Sequence, residues 1–265
     1  MLKNKPLVRH RKIYWDAIQQ DVLVDVILPV GFDPNISYPL LVLNDGQDMH
    51  GMNMDLILAE VWKKKVCKPF VLFAPHAYDR MQTYGVAGIP DFKGRGSLAK
   101  DYTAFLLDVM IPELMRRLKI KTFEERVIGG FSLGALSAFD IAWNNPGAFS
   151  KVLACSASFW WRKKDLKDNY TDADRIMHEV IRKSMQKPPL AIWLACGTLD
   201  ETSDRNNNGI IDSIDDTLDL VKELETIGFV KGEDLSYNEM IGGRHSLETY
   251  GVVLPYFLHW AFGFN

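Results

Sequence analysis

Arg126-Val127-Ile128-Gly129-Gly130-Phe131-Ser132-Leu133-Gly134-Ala135-Leu136-Ser137 passes from a short apolar run into a helical pattern through a turn with one serine set between two glycines. Gly130 and Gly134 stand two residues to either side of Ser132, giving the spacing G-x-S-x-G. A serine raised on a tight strand-to-helix turn needs those two places free of side chains that would strike the strand or the helix. The helix behind the turn directs its positive dipole end, with the free N–H of Leu133, toward a negative charge forming at the serine. The five-residue pattern alone is weak, since a glycine-rich turn with an idle serine would look the same. Its place between a strand near 126–128 and a helix near 133–143, closed by Asn144-Asn145-Pro146, makes Ser132 the candidate nucleophile.

Outward from this turn the chain alternates. The runs 40–43, 70–73, 126–128, 152–155, 191–195 and 235–241 are short and apolar, as strands buried on both faces are. Between them lie helical patterns at 97–118, where Pro112 predicts a kink, at 133–143, and at about 216–227 with Gly228 as its stop. Ahead of them 12–18 and 22–28 read as a hairpin, the second strand alternating Val22, Val24, Val26 and Leu28. The pattern predicts a single α/β domain over 1–265, a doubly wound, mostly parallel sheet with an antiparallel N-terminal hairpin and helices on both faces. Ligands are then expected beyond the carboxyl ends of the strands.

Composition agrees with a globular core: 47% of residues are hydrophobic and 25% charged. A net charge of -3 gives no electrostatic case for a nucleic-acid partner. Cys67, Cys155 and Cys196 have no C-x-x-C spacing and read as buried free thiols. The charged start, 1–21, holds no apolar stretch of signal-peptide length, and 252–264, interrupted by His259, is too short to cross a bilayer. The expectation is a cytoplasmic protein without a membrane partner, a removed signal peptide being the alternative.

A serine hydroxyl needs a base, usually a histidine oriented by a carboxylate, and on this kind of fold the chain order is Ser, then Asp or Glu, then His. His245 ends a Gly242-Gly243-Arg244 turn after the last strand, whereas His259 sits in the apolar pattern of a closing helix. Asp200 follows the strand at 191–195 and is the candidate acid, with Glu201 and Asp204 as competitors.

Taken together these residues resemble the esterase family that includes enterochelin esterase-like hydrolases, feruloyl esterases, S-formylglutathione hydrolase and the mycolyltransferases, all of the α/β-hydrolase fold. The likeness spans nearly the whole chain. It includes the apolar strand leading into Asp45-Gly46-Gln47, Arg80 after the next strand, Pro146 with Phe149, Ser158-Phe159-Trp160-Trp161, and Gly242-Gly243 with His245. Asn44 departs from it, standing where an apolar residue is common. The resemblance implies a carboxylic ester hydrolase acting on a small-molecule ester through an acyl-enzyme, with no cofactor for catalysis. It also implies a second oxyanion donor at the backbone N–H of Gln47, beside that of Leu133. An acyltransferase would use the same triad, and a carbohydrate- or calcium-binding module could retain the scaffold without activity. His50, Arg80, Trp160 and Trp161 fall in loops after strands and are the candidate substrate-binding residues, suiting an aromatic, acidic or sugar-bearing ester.

One motif stands apart from the esterase pattern. Residues 204–215 match a twelve-residue calcium loop, with Asp204, Asn206 and Asn208 at positions 1, 3 and 5, Gly209 at the turn, the carbonyl of Ile210 at position 7 and Asp212 at position 9. Asp215 at position 12 replaces the glutamate of EF-hands and makes the loop resemble the dockerin type. The register predicts one structural Ca²⁺ beside the catalytic acid.

Overall fold

In the computed structural model, which describes residues 5–264, one sheet carries the chain. Lys3, among the N-terminal charges, lies outside the described residues. The strands are β1 (Leu7–Trp15), β2 (Gln20–Leu28), β3 (Tyr38–Leu43), β4 (Val71–Pro75), β5 (Phe123–Phe131), β6 (Lys151–Cys155), β7 (Ala191–Leu199) and β8 (Leu235–Arg244). Their order is β1-β2-β4-β3-β5-β6-β7-β8; β1 and β2 pair antiparallel, as do β2 and β4, and the rest run parallel.

Alternation along each strand places the core on both faces. Leu40, Val42, Ile128, Val152, Ala154, Ile192 and Leu194 join one buried cluster, while Leu41, Leu43, Val127, Leu153, Cys155, Trp193 and Ala195 join the other. A strand buried on both sides must be apolar throughout, which is why these segments show no polar face. The helices are α1 (Met54–Lys63), α2 (Arg80–Thr83), α3 (Ala99–Ala104), α4 (Ile111–Leu118), α5 (Leu133–Asn144), α6 (Ile176–Arg182), α7 (Asp212–Thr226) and α8 (Leu247–Phe262). Those from α3 to α7 cover the first face, and α1 and α8 the second. Among the described residues no helix is long and apolar enough to cross a membrane.

Three of the boundaries that differ from the sequence reading bear on the architecture. The first strand lies earlier than 12–18, because residues 16–18 form a 3₁₀ turn and Gln19 takes a left-handed conformation, its side-chain amide donating to the Asp16 carbonyl and carboxylate. The helix at 97–118 is α3 and α4 joined through a π-helical stretch, Phe105–Met110, with Pro112 at the start of α4, where the missing N–H and the ring are accommodated by the wider turn. Finally, α7 begins at Asp212, four residues before the expected 216.

The chain turns from β3 outward to β4 and then returns to lay β5 on the other side of β3. This is the topological switch point, and the crevice outside the carboxyl ends of β3 and β5 is where an open α/β sheet binds ligands.

Candidate active site

Ser132 occupies that crevice. It connects β5 directly to α5 with φ 56° and ψ -123°, a left-handed backbone that is costly for any residue but glycine. The end of β6 and the loop after it hold it there. Its N–H donates to the Cys155 carbonyl at 3.0 Å, and its own carbonyl accepts from Ser158 N–H at 3.1 Å. The two glycines are needed for distinct reasons. A Cβ on Gly130 would lie 2.4 Å from the Gly134 backbone, and one on Gly134 would lie 2.5 Å from Asp45 Oδ2. The second contact shows how closely the turn after β3 is set against the start of α5.

That turn is held by a buried polar cluster. Asp45, also left-handed at φ 65°, receives a two-pronged ion pair from Arg80, Nε to Oδ1 at 2.9 Å and Nη2 to Oδ2 at 3.1 Å. The same Nη2 donates to the Phe131 carbonyl at 3.2 Å, one residue before Ser132. The Asp45 N–H donates to Tyr84 Oη at 3.0 Å; Tyr102 Oη donates to Asn44 Oδ1 at 2.6 Å; Asn44 Nδ2 donates to the Gly134 carbonyl at 2.8 Å. Arg80 thus ties the loop carrying Gly46 and Gln47 to the strand end carrying Ser132. The sequence reading placed it against substrate; in the structure its Nε and Nη2 are taken by Asp45 and Phe131. Leu133, the first residue of α5, has no intrahelical acceptor for its N–H. The Gln47 side chain is fixed by donating to Asp45 and accepting from Ala77 N–H.

Asp200 follows β7, and its Oδ2 accepts from Gly197 N–H at 2.9 Å while Oδ1 is buried without a partner. His245 follows β8, just before the Ser246 cap of α8, and meets the Tyr250 ring edge-on at 5.7 Å. Tyr250 in turn stacks on Phe131 at 4.3 Å, so the residue before the serine also backs the histidine. Although His245 is exposed as a whole residue, local burial of the ring lowers its pKa; the Asp200 carboxylate opposes that shift and the Arg80 charge adds to it.

Ser132, Asp200 and His245 line one cavity of about 250 Å³, together with Trp160, Glu201 and Ser213 among others. Among the described residues no side-chain hydrogen bond joins the three, and the free Oδ1 of Asp200 is the unused acceptor. Of the competing acids, Glu201 shares the cavity, whereas Asp204 is turned into its own loop and accepts from Asn208 and Gly209 N–H. His259 lies on α8 with Nδ1 3.0 Å from the Val66 carbonyl, away from the cavity.

The predicted substrate-binding residues divide. Trp160 is half-buried and lines the cavity. Trp161 is fully buried and packs against Gly85 and Gly96, so it is core. His50 is exposed and opens on a different cavity, with His10 and Asp25. Ser156, Ser213 and Tyr84 were not found from sequence, and no local pattern marks them; Tyr102 is legible only as one of the residues on the inner side of the 97–118 helix.

At 204–215 the carboxylates of Asp204 and Asp215 face a shared turn. Asn206 Nδ2 donates to Asp215 at 2.8 Å and Asn208 Nδ2 at 3.3 Å, and Gly209 has φ 84°. Asp212 instead caps backward, accepting from Arg205 N–H at 2.9 Å with the Arg205 guanidinium 3.4 Å away. Among the described residues no group of three or more His, Cys, Asp or Glu side chains is placed to hold a metal.

A strained serine between a parallel strand and a helix, at the switch point of this sheet, defines an α/β-hydrolase. The family model described as "Putative esterase" matches residues 16–260, and the chain belongs to that family of carboxylic ester hydrolases. No curated protein matches it in sequence. Similar solved structures include a ferulic acid esterase (13% identity, TM-score 0.72, 97% of this chain and 98% of that one). A siderophore hydrolase from Aspergillus nidulans is similar at 16% identity and TM-score 0.71, over 95% of this chain and 94% of that one. The enterobactin esterase of Shigella flexneri, solved in the presence of 2,3-di-hydroxy-N-benzoyl-serine, is similar at 18% identity and TM-score 0.72; 96% of this chain spans 59% of that longer one. At these identities the likeness is one of fold.

Proposed function

We propose that the protein hydrolyses a small-molecule carboxylic ester through an acyl-enzyme on Ser132, with His245 as the base and Asp200 as its orienting acid. The observation that carries this reading is the meeting of the three residues on one cavity at the strand ends, with Ser132 in the left-handed conformation of a nucleophile elbow. A histidine whose pKa is lowered is neutral near pH 7 and free to accept a proton. In the first half-reaction His245 takes the Ser132 proton as Oγ attacks the ester carbonyl, and the N–H groups of Leu133 and Gln47 receive the oxyanion. Collapse expels the alcohol, protonated by His245; water then attacks the acyl-enzyme by the same route and releases the acid. Asp200, with one oxygen held by Gly197, has the other free to accept the imidazole N–H. Labelling with an alkyl phosphonate and peptide mass spectrometry tests this: an adduct on Ser132 is expected, and one elsewhere on active protein refutes the assignment.

We also propose that 204–215 binds one Ca²⁺ through Asp204, Asn206, Asn208, the Ile210 carbonyl and Asp215. The twelve-residue register supports it, as does the meeting of Asp204, Asn206, Asn208 and Asp215 in one turn. Asp212, engaged by Arg205, leaves the set. The ion would brace the segment that follows Asp200.

A further inference from the structure

Beside the cavity of Ser132 lies a second, of about 240 Å³, and the two share Trp160 and Glu201 as walls. The rest of its lining includes Arg162, Tyr170, Arg205 and Asp212. Its cations are compensated differently. Arg205 is ion-paired with Asp216 and Asp212, and nearby Arg95 with Asp91. Arg162 makes no ion pair among the described residues, and its Nε is buried without a hydrogen-bond partner. Its guanidinium lies among rings instead, 5.0 Å from the centroid of Phe92, 5.8 Å from Tyr170 and 5.9 Å from Trp160.

Aromatic faces hold a guanidinium in place and accept none of its N–H bonds in the plane of the fork. A fixed, planar set of free donors, charged and partly desolvated, matches a carboxylate, which can take two of them at once. We propose that the second cavity is the subsite for a free carboxylate on the substrate, with Arg162 as its receptor and Trp160 as the wall along which the spacer between ester and carboxylate lies. The inference rests on the reading of Ser132 as nucleophile and names the substrate class. Glu201, on the shared wall, opposes an anion there. Burial, with Asp212 and Asp216 nearby, pushes its carboxyl above the usual range against the hydrogen bond from Ser213.

Two matched pairs of esters test the subsite and show which side of the ester carries the acid. Mono-p-nitrophenyl adipate against p-nitrophenyl hexanoate places the carboxylate on the acyl side, and 4-acetoxybenzoate against its methyl ester on the alcohol side. The wild-type kcat/KM should favour the charged member of one pair by about tenfold or more, the size expected of a charge-assisted hydrogen-bond pair. Arg162→Gln should abolish that preference while leaving the neutral member within about threefold, and Arg162→Lys should keep part of it. No preference in the wild type, or one that survives Arg162→Gln, overturns the subsite. If no ester is turned over, titration calorimetry of Ser132→Ala protein with adipate and 4-hydroxybenzoate decides. Binding of either that Arg162→Gln removes upholds the subsite and shows that only the nucleophile reading has failed; absent or unaffected binding of both overturns the subsite.

Discussion

Arg80→Met keeps the length of the side chain and removes its charge and donors. Asp45 would then keep a carboxylate whose side chain is only 2% exposed, with Gln47 Nε2 and its 2.7 Å hydrogen bond as the remaining side-chain donor. Removing one partner of a fully buried pair costs about 3–5 kcal/mol; the Arg80 side chain is 35% exposed, so about 2–3 kcal/mol is the expected loss of stability. The kinetic effect has two parts. Loosening Asp45 displaces the Gln47 N–H, and loss of one oxyanion donor costs about 100-fold or more in kcat, with KM little changed. Loss of the positive charge also removes one of the effects that hold the His245 pKa down, while Asp200 continues to raise it. The pKa therefore rises, and the acid limb of kcat/KM moves to higher pH, so that activity at pH 6 falls by more than activity at pH 8. Arg80→Lys separates the two parts: charge is kept and the two-pronged geometry lost, so kcat should fall while the limb stays near its wild-type place. Initial rates from pH 5 to 9 and urea unfolding of the three proteins measure all of this. Wild-type kcat in Arg80→Met with an unmoved acid limb would refute the clamp.

Ser132→Ala and His245→Ala should each lower kcat by several orders of magnitude, and the double variant should be hardly worse than either single one; additive losses would show that the two do not act together. Trp161→Ala should cost about 3–5 kcal/mol of stability and leave the ranking of ester substrates alone, whereas Trp160→Ala should alter the ranking with little change in unfolding midpoint. Burial pushes the Asp140 carboxyl up to about 7, against hydrogen bonds from Ala87 N–H and Asn144. Between its ordinary range and that value the folded protein keeps a proton that the unfolded chain releases, so stability falls as pH rises through this window. Asp140→Asn lacks the proton and should gain on the wild type from pH 4 to pH 8; an unchanged difference in unfolding free energy would count against it. Calorimetry of chelator-stripped protein should detect one Ca²⁺, with Asp204→Ala abolishing it, and absence of heat on folded protein would end that proposal.

The parts of the molecule legible in its sequence are those set by local or periodic rules. Runs apolar on both faces gave the parallel strands, and a serine between two glycines at a strand-to-helix step marked the proposed nucleophile, which the fold sets at the switch point of the sheet. Chain order then named Asp200 and His245 as candidates, and both line the cavity of Ser132, as the competing Glu201 does. What could not be read depends on which side chains meet across the sheet. Arg80 was legible as a charged loop residue, but its partner Asp45 stands 35 residues earlier and becomes its partner only because β3 and β4 lie side by side. Trp160 and Trp161 are adjacent in sequence and unlike in role, because the turn after β6 sends one ring to the cavity and the other beneath Gly85 and Gly96. The loop at 204–215 shows the same limit from the opposite direction. Its register names the oxygens that could surround a cation, but Asp212 is claimed by Arg205, which is drawn there by Asp216, and Asp216 is shared with Arg175 ahead of α6. This chain of charges anchors α7 to the segment before α6 and braces the loop after the proposed acid with arginines, and calcium would add to that mount.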